Sequence, residues 1–190
     1  TGNIILSGRI SGSGSLTKIG SKVLTLSGNN SYIGATIIKA GTLFVSGDIG
    51  TTSSLTIENS GTFVLGSNES ISEINSFVNG TINLNKYTLT VKSGDILGLI
   101  TDAKATPVTN IPSSSSNDGD RYDDGKYAYK VRYVNNSSGT GSIVKSGSSG
   151  DTLTLSNANT YSGTTTIKYG TISIRNEKAL GNNPSGTTIN

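Results

Sequence analysis

The 190-residue sequence contains no cysteine, histidine, methionine or tryptophan. Because there is no cysteine, disulfide bonds and thiolate chemistry are excluded, and this absence is in keeping with export of an unfolded chain. Because there is no histidine, the usual proton shuttle and the commonest metal ligand are missing. A Ser-His-Asp triad and a histidine-ligated zinc site are therefore impossible.

Clustered charge and long apolar runs are also missing. The 15 basic and 12 acidic residues give a net charge of +3, and the basic residues are too scattered to form a nucleic-acid footprint. No apolar run reaches the length of a membrane span, and residue 1 does not begin a signal peptide. Both ends lie inside strand patterns, at Gly2–Leu6 and Thr187–Ile189, so we predict a fragment of a longer protein.

Small polar residues and glycine dominate the composition. Ser (30), Thr (25), Gly (25) and Asn (19) make up just over half of the chain. Ser and Asn compete with helix by bonding local backbone, whereas Thr favours strands. Polar chains are often disordered, but Val, Ile, Leu and Phe recur here in short alternating runs. The composition therefore predicts an all-β fold.

An imperfect internal repeat organises the chain, with copies at 14–45 and 141–174. The offset is 127 residues up to Gly20 and Gly147, and 129 from Leu24 and Leu153 onward, because the second copy has two extra turn residues. Over the 22 positions that begin at Leu24 and Leu153, 12 are identical. A repeat of this kind points to a solenoid or an array.

Each copy reads as short strands separated by turns. In the first copy, the period-2 pattern predicts strands at Leu24–Leu26, 36–39 and 42–45, with an Asn-rich turn at 28–31 and a break at Gly41. The second copy predicts the same order, with strands at 153–155, 164–168 and 171–174, a turn at 157–160 and a break at Gly170. Asn and Gly tolerate positive φ, so the sequence predicts that both tetrads, 28–31 and 157–160, are turns.

The same rhythm continues between the copies. Strands are predicted at 55–57 and 62–65, around a turn at 59–61, and then at 80–85 and 88–91. Coils of roughly 20–25 residues would place about eight coils in the chain, with Leu, Ile, Val and Phe inside and Thr, Ser and Asn outside.

At these residues the sequence resembles the passenger-associated transport repeat of bacterial autotransporter passenger domains. That motif has the form G-x-G-x-L-x-K-x-G, then L-T-L-S-G-x-N-x-Y-x-G-x-T-x-I, then x-x-G-T-L. The second copy departs from it at Asn157, where Gly is usual, and at the insertion 148–150. The matching residues of the first copy are Gly12, Gly14, Leu16, Lys18, Gly20, Leu24–Gly28, Asn30, Tyr32, Gly34, Thr36, Ile38 and Gly41–Leu43. Those of the second are Gly139, Gly141, Ile143, Lys145, Gly147, Leu153–Ser156, Asn159, Tyr161, Gly163, Thr165, Ile167 and Gly170–Ile172.

The resemblance implies a right-handed parallel β-helix that is exported across the outer membrane to the cell surface or the extracellular space. Its implied partner is a C-terminal translocator β-barrel, and its implied role is a structural stalk and an adhesion or virulence module whose repeats assist folding and export. A host-cell protein or glycan is the expected receptor. We predict no enzyme activity, no cofactor, no nucleic acid and no membrane insertion by this segment.

One stretch, 102–136, breaks the rhythm and is predicted to be an inserted loop or hairpin in an otherwise single β-helix. Its alternation at 127–134 predicts a strand. Insertions on solenoids often bind partners, but the favoured interpretation is a surface hairpin or flap against the helix flank. A calcium site is a second hypothesis, although the spacing matches no EF-hand loop; its ligands would be Asp118, Asp120, Asp123 and Asp124. A partner-binding surface is a third, formed by Tyr122, Tyr127, Tyr129, Arg132 and Tyr133.

The repeat residues also allow two interpretations. Tyr32 and Tyr161 are expected to pack beside a turn with bonded hydroxyls, rather than to stack on sugars. The repeat lysines are expected to be solvated rather than to contact anionic partners; they are Lys18, Lys145, Lys39 and Lys168.

Two rival functions remain open. The first is a polysaccharide lyase or glycosidase, which needs two carboxylates across a cleft; only Asp120 and Asp123, near Arg121 or Lys126, suit that role. The second is a stalk of immunoglobulin-like sandwiches, which the short coil rhythm and the unrelated sequence between the copies disfavour.

Overall fold

The computed structural model describes residues 2–49, 54–102, 122–123, 128–129, 140–182 and 186–189. The chain divides into two units, one formed by Thr1–Ala103 with Ser137–Asn190 and the other by Lys104–Asn136. All regular structure in the described ranges is β, which confirms the predicted class. None of these residues forms a helix long and apolar enough to cross a membrane.

The described strands are short apart from four of eight to twelve residues. In chain order they are β1 (Ile4–Leu6), β2 (Ser11–Gly12), β3 (Leu16–Lys18), β4 (Val23–Leu26), β5 (Ser31–Tyr32), β6 (Thr36–Val45), β7 (Ser54–Leu65), β8 (Glu69–Ser76), β9 (Thr81–Asn83), β10 (Thr88–Ile96), β11 (Leu99–Thr101), β12 (Tyr122–Asp123), β13 (Ala128–Tyr129), β14 (Ser142–Lys145), β15 (Thr152–Leu155), β16 (Thr165–Ile167), β17 (Thr171–Ile174) and β18 (Thr187–Ile189).

Parallel pairing arranges the first unit as a β-solenoid of about seven turns. Apart from the short parallel pair of β2 and β5, its strands form three stacks, and each stack is traced by one line of paired residues. The first stack runs through Ile4, Leu24, Leu43, Phe63, Ile82 and Ile100. The second runs through Thr36, Leu55, Ile74, Gly94, Leu153 and Ile172. The third runs through Glu69, Leu89, Ile143, Thr165 and Thr187.

One turn of the solenoid takes about 20 residues, at the short end of the predicted range. Leu55 and Ile74, for example, are paired neighbours 19 residues apart. Within a strand, inward and outward residues alternate, so that β7 buries Leu55, Ile57, Phe63 and Leu65. Fully burying such a side chain stabilises the fold by about 1.5–3 kcal/mol. The predicted apolar interior is therefore confirmed.

Two predicted strand breaks are wrong. Strand β6 continues through Gly41, and β7 continues through the expected turn at 59–61. Gly41 has a φ of 71°, and the β6–β7 register shifts between Ile38 and Ala40. The chain therefore bends at a bulge while its pairing with the next turn continues. In the second copy Gly170, with a φ of 80°, does separate β16 from β17.

The asparagines at 28–31 and 157–160 do not use the positive φ that this residue type tolerates. Among the described residues, Asn85 and Lys86 are the non-glycine residues with positive φ. The turns at 28–31 and 157–160 instead rely on side-chain hydrogen bonds, described below.

The second unit contains β12 and β13, which pair antiparallel with Tyr122 opposite Tyr129 and Asp123 opposite Ala128. Of the strand predicted at 127–134, residues 128–129 form β13, and the others lie outside the described residues.

Candidate functional site: buried polar contacts of the repeats

The side chain of Asn30 connects three successive turns of the solenoid. It is 4% exposed. Its Oδ1 accepts a hydrogen bond from the backbone N–H of Ile10 at 2.9 Å, one turn earlier. Its Nδ2 donates to the carbonyl oxygens of Gly28 at 2.9 Å and of Asp48 at 2.7 Å, the latter one turn later. All its short contacts are to main chain, so the residue specifies the register of the turns.

Asn159 makes the corresponding contacts to the turns before and after it in the second repeat. It is also buried; its Oδ1 accepts from the N–H of Ile100 at 2.8 Å, and its Nδ2 donates to the carbonyl of Ala179 at 2.7 Å. Each such hydrogen bond stabilises by about 1 kcal/mol, whereas leaving a buried partner unpaired costs about 1–3 kcal/mol. The asparagines therefore favour one register strongly over the alternatives.

The repeat tyrosines are buried beside these asparagines. The hydroxyl of Tyr32 lies 2.6 Å from Oγ1 of Thr36, and that of Tyr161 lies 2.6 Å from Oγ1 of Thr165. Burial raises the pKa of both phenols. The prediction of packed rings with bonded hydroxyls is confirmed, and the buried rings are not available to stack on sugars.

The prediction that Lys18 is solvated is wrong. It ends β3 on the inward side, and its Nζ donates to the carbonyl oxygens of Ile19 at 2.8 Å, Gly20 at 2.6 Å and Ala40 at 2.9 Å. These three bonds use all three donors of the ammonium group. Desolvation lowers the pKa of Lys18. The aliphatic stem of Lys18 lies in the interior, and its ammonium group is bound by backbone carbonyl oxygens.

Lys145 is the counterpart in the second repeat and was also expected to be solvated. It is fully buried, and its Nζ donates to the carbonyls of Ser146 at 2.5 Å and Tyr169 at 3.0 Å. Desolvation lowers its pKa, and the nearby Asp151 opposes that shift. The missed signal was the strand alternation in β14, which turns Ile143 and Lys145 to the same side.

The other two repeat lysines are exposed, as predicted. The Nζ of Lys39 lies 4.0 Å from Oε1 of Glu58 on the surface, and Lys168 is exposed. A surface pair of this kind contributes little to stability. Lys39 and Glu58 also line a shallow depression of about 250 Å³ with Asn59, Ser60 and Phe77.

A carboxylate that the sequence did not point to, Asp102, anchors the start of the 102–136 stretch. It is buried, and its Oδ2 accepts from the backbone N–H of Ser162 at 2.8 Å and from its Oγ at 2.5 Å. A β-carbon on Gly141 would lie 3.2 Å from the β-carbon of Asp102. The two residues on either side of 103–140 are therefore close together in the solenoid.

The site residues predicted in this stretch are mostly outside the described part of the chain. Tyr122, Asp123 and Tyr129 lie in β12 and β13, where only backbone pairing is described. Outside the described residues lie Asp118, Asp120, Asp124, Tyr127, Arg132 and Tyr133. Within the described ranges, no three acidic side chains come together as a metal site.

Comparison with protein families identifies both repeats. The family model described as passenger-associated-transport-repeat matches residues 16–45 and 143–174. These segments contain both asparagines, both buried lysines and both tyrosine–threonine pairs. The comparison with curated proteins finds no match, and neither does the comparison with solved structures.

Proposed function

Because the chain carries two passenger-associated transport repeats on a parallel β-solenoid, we propose that it is a segment of an autotransporter passenger. The segment acts as a stalk and adhesion module at the bacterial surface or outside the cell, and the repeats assist folding and export. A C-terminal translocator is the partner that this family implies.

The observation that carries the folding role is the pair of buried asparagines. Each of Asn30 and Asn159 bonds main-chain groups of the turn before it and of the turn after it. In a solenoid each turn contacts only its neighbours, so folding propagates along the stack. Through its asparagine, such a turn accepts a hydrogen bond from the preceding turn and donates one to the following turn. The repeat thus acts as a register-setting template for the turns around it.

The contacts of the repeat residues support the stalk role. The asparagines and the first lysine of each repeat, Lys18 and Lys145, are buried and bond the solenoid's own backbone. The part of the chain that departs from the coil pattern is 102–136. We assign the adhesive contact to that stretch, with a host-cell protein or glycan as receptor. Aromatic residues and Arg are favoured at such interfaces, and its candidates are Tyr122, Tyr127, Tyr129, Arg132 and Tyr133.

The folding role is tested in the exported protein that contains this chain. Asn30→Ala and Asn159→Ala, singly and together, are compared with Asn29→Ala, an exposed neighbour in the same turn. We expect the amount of protease-resistant passenger at the cell surface to fall for the first two and to fall furthest for the pair, with Asn29→Ala unchanged. Equal surface amounts for all variants would contradict the proposal.

The adhesive role needs a separate test. The five candidate residues are changed together to Ala, and Ser113–Ser116 are changed to Ala as a control in the same stretch. Binding to host cells is normalised to the amount displayed. Loss of binding in the first variant alone supports the assignment, whereas equal binding by both places adhesion elsewhere.

A further inference from the structure

Glu69 occupies an interior position of the solenoid that the other turns fill with uncharged side chains. It begins β8 in the third stack, where its successors are Leu89, Ile143 and Thr165. The side chain is 4% exposed. An ionised carboxylate at such a position is costly unless charges or hydrogen bonds compensate for it.

The hydrogen-bond geometry around Glu69 indicates that its carboxyl group carries a proton. The hydroxyl oxygen of Ser67 lies 2.9 Å from Oε1 of Glu69 and 2.8 Å from the carbonyl oxygen of Gly47. A serine hydroxyl has one proton to donate, and a backbone carbonyl can only accept. If Ser67 donates to Gly47, the proton between Ser67 and Glu69 must come from the carboxyl group. Each short contact has a proton of its own only when Glu69 is neutral; when Glu69 is ionised, the single Ser67 proton is shared between the two acceptors.

The electrostatic surroundings favour the same state. Burial and, to a smaller extent, the carboxylate of Asp48 raise the pKa of Glu69 to about 7, although the Ser67 hydroxyl and the backbone of Ile49 act in the opposite sense. Burial is the main cause of the raised pKa of Tyr32, and the negative charge of Glu69 adds to it. The neighbouring turn in β10 places the uncharged Leu89 against it.

We propose that Glu69 is a proton-dependent latch between two turns of the solenoid. In the neutral form, Glu69 donates to Ser67 and Ser67 donates to Gly47 of the preceding turn, so the two turns are joined. In the ionised form, the single Ser67 proton is shared between two acceptors, and a buried carboxylate lies near Asp48. The contact between the 47–49 and 67–69 segments is therefore tight at mildly acidic pH and loosens as the pH rises. This inference is independent of the proposed function.

The first experiment measures the protonation state directly. Carboxyl ¹³C chemical shifts of Glu69 and Glu73 are followed from pH 3 to 9 in the intact chain. Glu73 lies on the same strand but is exposed. We expect the Glu69 midpoint to lie well above the ordinary value for glutamate, with the Glu73 signal recorded alongside as the reference. Coincident midpoints at the ordinary value for glutamate would overturn the proposal.

The second experiment tests the latch. Glu69→Gln keeps the shape and cannot ionise, and Glu73→Gln is the matched control. We expect the Tm of the unchanged chain and of Glu73→Gln to fall between pH 5 and 8, and that of Glu69→Gln to fall clearly less. Amide hydrogen exchange at 47–49 should speed up over the same pH range in the unchanged chain and in Glu73→Gln, but not in Glu69→Gln. If Glu69→Gln does not fold, the exchange measurement and the ¹³C titration of the unchanged chain decide. A pH-independent exchange rate, after correction for intrinsic exchange, refutes the latch.

Discussion

Leu24 and Leu153 hold the same position in the two repeats but lie in different stacks of the solenoid. Leu24 pairs with Leu43 in the first stack, whereas Leu153 pairs with Gly94 in the second. The second repeat is therefore displaced by one stack relative to the first. Because the asparagine, tyrosine and lysine contacts are nonetheless the same, the motif is a local device that works in either position. Variants at equivalent positions should behave alike.

The buried lysines should be among the most sensitive positions of the chain. Lys145→Ala removes a fully buried stem and leaves the carbonyl groups of Ser146 and Tyr169 without their donor. We expect a loss of about 2–4 kcal/mol in the free energy of unfolding, from the cavity and the unpaired acceptors. Lys168→Ala, at the exposed repeat position, should change it by less than about 0.5 kcal/mol. Denaturant unfolding of both variants checks this, and similar midpoints for the two would refute the structural role of Lys145.

The contact between Tyr161 and Thr165 should contribute a measurable pairwise energy. Tyr161→Phe and Thr165→Val each remove one partner of the 2.6 Å hydrogen bond and nearly preserve shape. Each single variant should lose about 1–2 kcal/mol, and the double variant should lose less than their sum, with a coupling of about 0.5–1.5 kcal/mol. The same cycle on Tyr32 and Thr36 should give a similar value. Additive losses would show that the two hydroxyls are bonded independently.

The strand pattern and the repeat were enough to predict the stacked architecture. Alternation of apolar residues at 24–26 and 153–155 corresponds to β4 and β15. The breaks at Gly41 and 59–61 were wrong because a glycine signals a bend, and the neighbouring turn decides whether pairing continues through it. In β7, Ser60 and Gly61 pair with Ala40 and Gly41 of the preceding turn, so the ladder persists.

The polar interior was harder to predict from sequence, for a different physical reason. A lysine or glutamate can be buried only when specific acceptors or donors surround it, and these come from distant positions. Ala40 lies 22 residues from Lys18, and Ser162 lies 60 residues from Asp102. Local periodicity gives the direction of a side chain but not its partners. The repeat copies showed that these residues recur, and the structure shows why.

The turn at 148–151 in the second repeat should become less stable as the pH falls. The Oδ2 of Asp151 accepts a hydrogen bond from the backbone N–H of Ser148 at 2.7 Å. Hydrogen bonding to Ser148 is the main cause of the lowered pKa of Asp151. A lowered pKa in the folded chain means that the stabilisation is present above the unfolded pKa and is lost as the pH falls through the folded value. We expect the carboxyl ¹³C titration of Asp151 to have its midpoint below the ordinary value for aspartate. Asp151→Asn should weaken the protection of the Ser148 amide at pH 6, and unchanged protection would contradict the role.

The last prediction concerns the junction of 103–140 with the solenoid. In the first repeat, Ile10 bonds Asn30, and Ser13 alone separates Gly12 from Gly14. In the second, Ile100 bonds Asn159 in the same way, so Asp102 and Gly141 correspond to Gly12 and Gly14. Because Asp102 and Gly141 are adjacent, replacing residues 103–140 by a single Ser should leave the solenoid intact. Closing a shorter loop costs less entropy, so stability should be equal or higher by about 1–3 kcal/mol. β-type circular dichroism and denaturant unfolding measure this.

A variant of the shortened chain shows whether its junction forms correctly. Asp102→Ala removes the acceptor for the N–H and Oγ of Ser162. If the junction is native, this change should cost about 1–3 kcal/mol in both the full and the shortened chain, since the partly buried N–H and hydroxyl of Ser162 lose this acceptor in each. An effect in the full chain alone would mean that the excision has shifted the register. A shortened chain that unfolds without cooperativity would mean that 103–140 is needed to position β14 after β11.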